Sequence, residues 1–199
     1  MFHRKPQGGF TLIELMVTMT VGALIAIAAY QFFGNSLGDY FDLEQNSAVS
    51  GELADSSQRI ATVLRGTTGI TAAGANDLTA YAYFAPDDSY VSVIRYYLNA
   101  SNTQLLADVT PMTANPPVGT PITAQKKTYV VIQDYLKVGG LDLFNYLDDA
   151  GNSLSQPISD LNSIKGIQIN LAVPINRPKQ GGNQQISLQV TLRNRKTNL

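Results

Sequence analysis

Glu14 is the only charged residue between Phe10 and Gly38, and it lies inside the stretch RKPQGGFTLIELMV. A carboxylate in hydrocarbon costs roughly 2.5 to 3.5 kcal/mol on insertion scales, so such a residue is a functional candidate that needs a partner. The residues just before it suggest one. Gly8 and Gly9 separate a basic leader from the apolar run, and a cut after Gly9 would leave Phe10 with a free ammonium. Carried on a neighbouring copy, that ammonium could meet Glu14, since opposite charges that are each costly in lipid attract strongly where the dielectric is low. A glutamate that snorkels to the headgroups fits the same residues, and at this point both readings stand.

The element that positions Glu14 reads as a membrane helix. The run LMVTMTVGALIAIAAYQFF is apolar around its whole circumference, about the length that crosses a bilayer core. A core helix of a soluble domain is the alternative, but soluble helices this long are amphipathic. His3, Arg4 and Lys5 ahead of the run predict a cytoplasmic N-terminus and an exported C-terminal part. A secretory signal places its small-residue cleavage site after the apolar stretch and discards it. Here the small residues come first, so the helix is kept.

Gly9-Phe10-Thr11-Leu12-Ile13-Glu14-Leu15-Met16-Val17 behind a short basic leader resembles the class III signal of type IV prepilins and of the pseudopilins of type II secretion. The resemblance implies that residues 1–9 are a leader and Gly9 the residue before the scissile bond. It also implies that Phe10 is the N-methylated first residue of the mature chain and that Glu14 neutralises the N-terminus of an adjacent subunit during assembly. Its partners would be other pilin or pseudopilin subunits, a prepilin peptidase, a membrane platform protein and an assembly ATPase. The place would be the bacterial inner membrane, then an extracytoplasmic filament. The helix-breaking proline common in that family is missing, and Gly22 and Gly34 are the weak points instead. The double glycine also occurs in leaders of peptide bacteriocins, but residues 10–199 are far too many for such a product.

Composition excludes more than it suggests. Fourteen Lys and Arg against fifteen Asp and Glu give a net charge of −1, with no global field for nucleic acid. There is no cysteine, and the one histidine is His3. Disulfides, thiolate metal sites and His-based catalysis are therefore not expected, nor is any cofactor. The chain reads as a substrate of an enzyme and not as an enzyme.

Beyond Gly38, Leu37, Phe41, Ala48, Leu53, Ile60 and Leu64 recur near helical spacing among charged residues. This predicts an amphipathic half of the same helix over 39–66, closed by Gly66. From residue 67 to 199 the pattern is that of an exported β-domain. Strands are expected at Tyr90–Asn99, near Thr103–Val109, at Leu141–Leu147, Gly166–Val173 and Gln184–Arg193, with Leu78–Phe84 and Tyr129–Leu136 ambiguous. The prolines of TPMTANPPVGTP predict an irregular loop. The expected architecture is α+β and pilin-like, a long N-terminal helix packed on a C-terminal antiparallel sheet. The order VIRYYL, LFNYLDDAGN, IKGIQINLAV, ISLQVTLRNR resembles J-type minor pseudopilins and PilW-like minor pilins.

The remaining candidates are weaker. Asp148, Asp149 and Asn152 could offer oxygen ligands to calcium, but lack EF-hand spacing and read first as a turn, as do Asp87 and Asp88. Arg193, Arg195 and Lys196, with Arg177 and Lys179, form the one basic cluster of the exported part. A solvated tail accounts for them, and phosphate contacts to DNA are the alternative. Asn99-Ala100-Ser101 matches a glycosylation sequon. The expected function is that of a minor pilin or pseudopilin subunit, possessing no metal site. The alternative is a pilus-displayed module that binds DNA or a surface.

Overall fold

The computed structural model describes residues 11–175 and 182–193, less the side chains of Asp39, Asp42, Gln45 and Asn46. One α-helix, α1 (Leu12–Arg65), precedes eight strands: β1 (Gly69–Ala73), β2 (Asp77–Ala82), β3 (Ser92–Leu98), β4 (Leu105–Pro111), β5 (Lys127–Ile132), β6 (Phe144–Leu147), β7 (Gly166–Ile175) and β8 (Gly182–Thr191). The class is α+β, a long apolar helix followed by antiparallel sheet. The chain divides into two units, Met1–Asn46 and Ser47–Leu199.

In the first unit the large apolar side chains, from Leu12 to Leu43, are exposed. Leu12–Gly38 is a candidate membrane span of 27 residues with mean hydropathy 2.2.

In the second unit the last turns of α1 bury Leu53, Ser57, Ile60, Ala61 and Leu64. At 3.6 residues per turn these fall within about 80° of Leu53, on one stripe. Leu37 and Phe41 belong to the first unit and are exposed. Within the second unit the apolar stripe begins near the half-buried Val49. Arg65 ends the helix, and Gly66 and Thr67 donate to the carbonyls of Val63 and Leu64.

The strands form two sheets where the sequence suggested one. β1 to β5 make a five-stranded meander, and β6, β7 and β8 a second sheet in the order 6-7-8. All pairs are antiparallel. Alternation explains the first sheet: Leu78, Ala80 and Ala82 of β2, Ile94 and Tyr96 of β3, and Leu105, Ala107 and Val109 of β4 point into the core. In the second, Ile167, Ile169, Leu171 and Val173 are buried, as are Val190 and Leu192. All join one apolar cluster with the α1 stripe. Tyr129–Leu136 is strand only as far as Ile132, the end of β5, and the proline-rich loop carries more order than expected, with Met112 bridged to Pro121.

The outer face of the five-stranded sheet holds a polar network centred on Asp108. Its carboxylate takes Lys126 Nζ at 2.6 Å, the Thr128 hydroxyl at 2.6 Å and the Tyr97 hydroxyl at 3.3 Å, while its side chain is 8% exposed. Burial opposes ionisation, but Lys126, Thr128 and Tyr97 together outweigh it and hold the carboxyl below its ordinary value. A depressed aspartate stabilises the fold above its unfolded value near ~4 and loses that contribution as pH falls through the lower folded value. Asp108→Asn is expected to cost about 1–3 kcal/mol at neutral pH. Urea unfolding from pH 7 down to pH 2 should show wild type and variant converging at the acid end; a constant gap across that range would rule the network out as its source.

Candidate functional site

Glu14 sits in the third helical position of α1, and its carboxylate is engaged locally. Oε2 accepts from the Thr11 backbone N–H and from the Thr11 hydroxyl, both at 2.9 Å. In return the Glu14 N–H donates to Thr11 Oγ1 at 3.3 Å. Thr11 is outside the helix while its carbonyl accepts the first intrahelical bond, from Leu15 N–H at 3.1 Å. This is a capping box, in which the cap residue and the acid three positions on satisfy each other's orphan N–H groups. Its signature, Thr-x-x-Glu ahead of an apolar run, is legible in Thr11-Leu12-Ile13-Glu14. The expectation of a lone acid overlooked it.

Both of these bonds land on Oε2. Among the described residues Oε1 accepts no hydrogen bond. The bonds that close the cap therefore fall on one oxygen of Glu14.

The next turns carry the same economy. Thr18 Oγ1 lies 2.9 Å from both the Glu14 and Leu15 carbonyls, and Thr20 Oγ1 donates to the Met16 carbonyl at 2.7 Å. No threonine hydroxyl of this stretch is left as an unpaired donor, which suits a helix surface that meets lipid. Aromatic side chains gather toward the other end, at Tyr30, Phe32, Phe33, Tyr40 and Phe41, all exposed. Such rings favour a membrane interface.

Gly9 and Phe10, the cleavage and methylation positions, lie outside the described residues, as do Arg177, Lys179, Arg195 and Lys196. Arg193 is exposed just past Leu192. Asp148 works as a turn residue. Its Oδ1 accepts the Asn152 N–H at 2.8 Å and its Oδ2 the Asn152 side-chain amide at 3.2 Å, and these bonds lower its pKa. Among the described residues no three acidic or histidine side chains gather as a metal site. Asp88 caps a turn by accepting the N–H groups of Phe84 and Ala85. Asn99 spends its side chain on Thr103 and Gln104 in the β3–β4 turn.

Among known families, residues 4–30 fit the model described as the prokaryotic N-terminal methylation motif. No curated protein matches the chain. The matched span takes in the basic leader, Gly9, Phe10, the Thr11–Glu14 cap and the first part of α1. The N-terminus of this chain is a type IV pilin-like prepilin signal.

Proposed function

We propose that this protein is a minor pilin or pseudopilin subunit of a type IV pilus or a type II secretion-like filament. In this reading a prepilin peptidase cuts after Gly9, Phe10 becomes the methylated first residue, and the subunit enters the filament, or its initiating tip complex, through its apolar helix. Type IV pilin-like proteins generally assemble with other pilins after such processing. Residues 10–38 serve as the membrane and assembly half of the helix, 39–66 as its second half, and 67–199 as the exported domain. The N-terminus faces the cytoplasm, and the chain acts by association, with the platform protein and the assembly ATPase supplying the work.

The observation that supports the reading is Glu14 within the motif: the one acid of the apolar span, set in its first turn by a cap to Thr11 that uses a single carboxylate oxygen. The free amine of a processed Phe10 on an adjacent subunit is a cation of the right kind and at the right depth. Intact mass of the protein from its native membrane tests the first step. The expected product begins at Phe10 with one added methyl, and Gly9→Ala is expected to retain the leader. An intact leader on the wild-type chain would end the proposal.

A further inference from the structure

In the second unit, one pocket combines a cation that has no counter-ion with a buried hydroxyl that has no partner. It lies between α1 and the β5 end of the five-stranded sheet, has a volume of about 130 Å³, and is lined by Asp55, Arg59, Phe84, Tyr96 and Tyr129 among others. Strand register brings its two phenols together. Tyr96 pairs with Ala107 and Ala107 with Tyr129, so the rings stand in one row across the sheet with only a methyl group between them. Phe84 adds a third ring against Tyr129, their centroids 5.0 Å apart and their planes tilted by 30°.

The pocket thus holds two donors without acceptors. Tyr96 is 2% exposed, and among the described residues its hydroxyl makes no hydrogen bond. A buried hydroxyl without a partner is costly, and burial keeps this one protonated by raising its pKa far above the ordinary value. The Arg59 charge opposes that rise, so guanidinium and phenol lie within electrostatic reach of each other. Arg59 stands over the Phe84 ring, its guanidinium carbon 5.1 Å from the centroid. Among the described residues it makes no ion pair and no hydrogen bond. A ring contact holds the guanidinium without giving its N–H groups an oxygen acceptor. The neighbouring Ser56 hydroxyl is already spent, on the Val131 carbonyl at 3.2 Å.

We infer that this pocket binds a small monocarboxylate carried on a flat apolar body, its oxygens shared between the Arg59 guanidinium and the Tyr96 hydroxyl. Two unspent donors call for an acceptor, and the guanidinium fork matches the paired oxygens of a carboxylate. A single cation, with the exposed Asp55 one helical turn away, favours one negative charge over the two of a phosphate. The Phe84 and Tyr129 rings offer a wall for the apolar body. Size agrees, since a cavity of ~150 Å³ holds a benzene ring. A free acid and the C-terminus of a peptide present the same carboxylate. The site uses none of the residues on which the function proposed above depends.

Calorimetric titration of the full-length chain in detergent with benzoate, and with N-acetyl-phenylalaninate as a model of a chain end, tests the inference. At least one of the two is expected to bind at millimolar concentration, and the tighter one identifies the source as free acid or chain end. Benzyl alcohol, which has the ring without the charge, should bind about tenfold more weakly or worse. Arg59→Gln replaces an exposed side chain and Tyr96→Phe keeps the buried ring. Each should lower the affinity for the bound acid by about tenfold, through loss of a charge-assisted or buried hydrogen bond. Asp55→Asn should leave the affinity unchanged or raise it. Binding of neither acid, equal binding of benzyl alcohol, or wild-type affinity in Arg59→Gln overturns the inference. A loss in Asp55→Asn as large as that in Arg59→Gln overturns it too, because the pocket would then not be reading a negative charge.

Discussion

Glu14→Gln is expected to leave the chain processed and membrane-embedded while lowering its recovery in sheared filaments more than tenfold, nearly as far as Glu14→Leu. The pair of variants separates the cap that the structure shows from the charge pairing proposed for assembly. Glutamine keeps the capping box, because its side-chain oxygen can still accept from Thr11. Leucine loses the cap as well, at a cost of about 1 kcal/mol. Both remove the charge. A carboxylate and an ammonium at ~4 Å and an effective dielectric near 20 attract by about 4 kcal/mol, part of which desolvation cancels. Even about 2 kcal/mol of surviving attraction exceeds the ~1.4 kcal/mol that equals a factor of ten. The charge should therefore dominate and the cap should be the smaller correction. Intact mass gives the processing state, and immunoblots of sheared against cell-bound fractions give incorporation. If Gln matches wild type while only Leu fails, Glu14 is a capping residue and its charge has no part in assembly.

Local features of this protein were legible and long-range ones were not. The end of α1 at Gly66, the β3–β4 turn through Asn99–Asn102 and the alternation of β7 and β8 all follow from residues a few positions apart. The capping box was legible too, in Thr11 and Glu14, but a reading centred on the cost of an acid in lipid looked for a distant partner before a local one. β1, written GITAA, offers small residues and no clean alternation, so only its pairing with β2 identifies it. The split into two sheets is set by which strands find each other across the chain, a choice that burial of the shared core decides. Leu37 and Phe41 show the same limit. Helical spacing alone does not tell an exposed side chain from a buried one, and only burial separates them from Leu53, Ile60 and Leu64.

The side chain that ties the sheets together is Tyr146, and its removal should be the most damaging single change in the second unit. It is fully buried on β6. Its hydroxyl lies 2.9 Å from the Gly74 carbonyl and 3.3 Å from the Asp77 carbonyl, both at the β1–β2 turn of the other sheet. The Phe144 N–H donates at 3.0 Å to Ala75 in the same turn. Tyr146→Ala removes a buried ring and is expected to cost ~3–5 kcal/mol, a large share of the ~5–15 kcal/mol by which domains are stable. Tyr146→Phe keeps the ring and should cost about 1–3 kcal/mol, because the Gly74 carbonyl loses its donor, while the Asp77 carbonyl still accepts from the Gly74 N–H. Tyr83→Ala, at an exposed position, should cost little. Burial first, and then the nearby Asp77, push the Tyr146 phenol above its ordinary value. Its contribution is thus intact below the unfolded value near ~10 and falls as pH rises past it. Tyr146→Phe should reduce that alkaline loss, leaving the part due to Tyr96, Tyr97 and Tyr135, which are also raised, each chiefly by burial. The chain has no tryptophan, so near-UV circular dichroism of its tyrosines during urea unfolding is the natural probe. If Tyr146→Phe and Tyr146→Ala unfold at the same urea concentration, the ring does not fill the core and the joint between the sheets lies elsewhere.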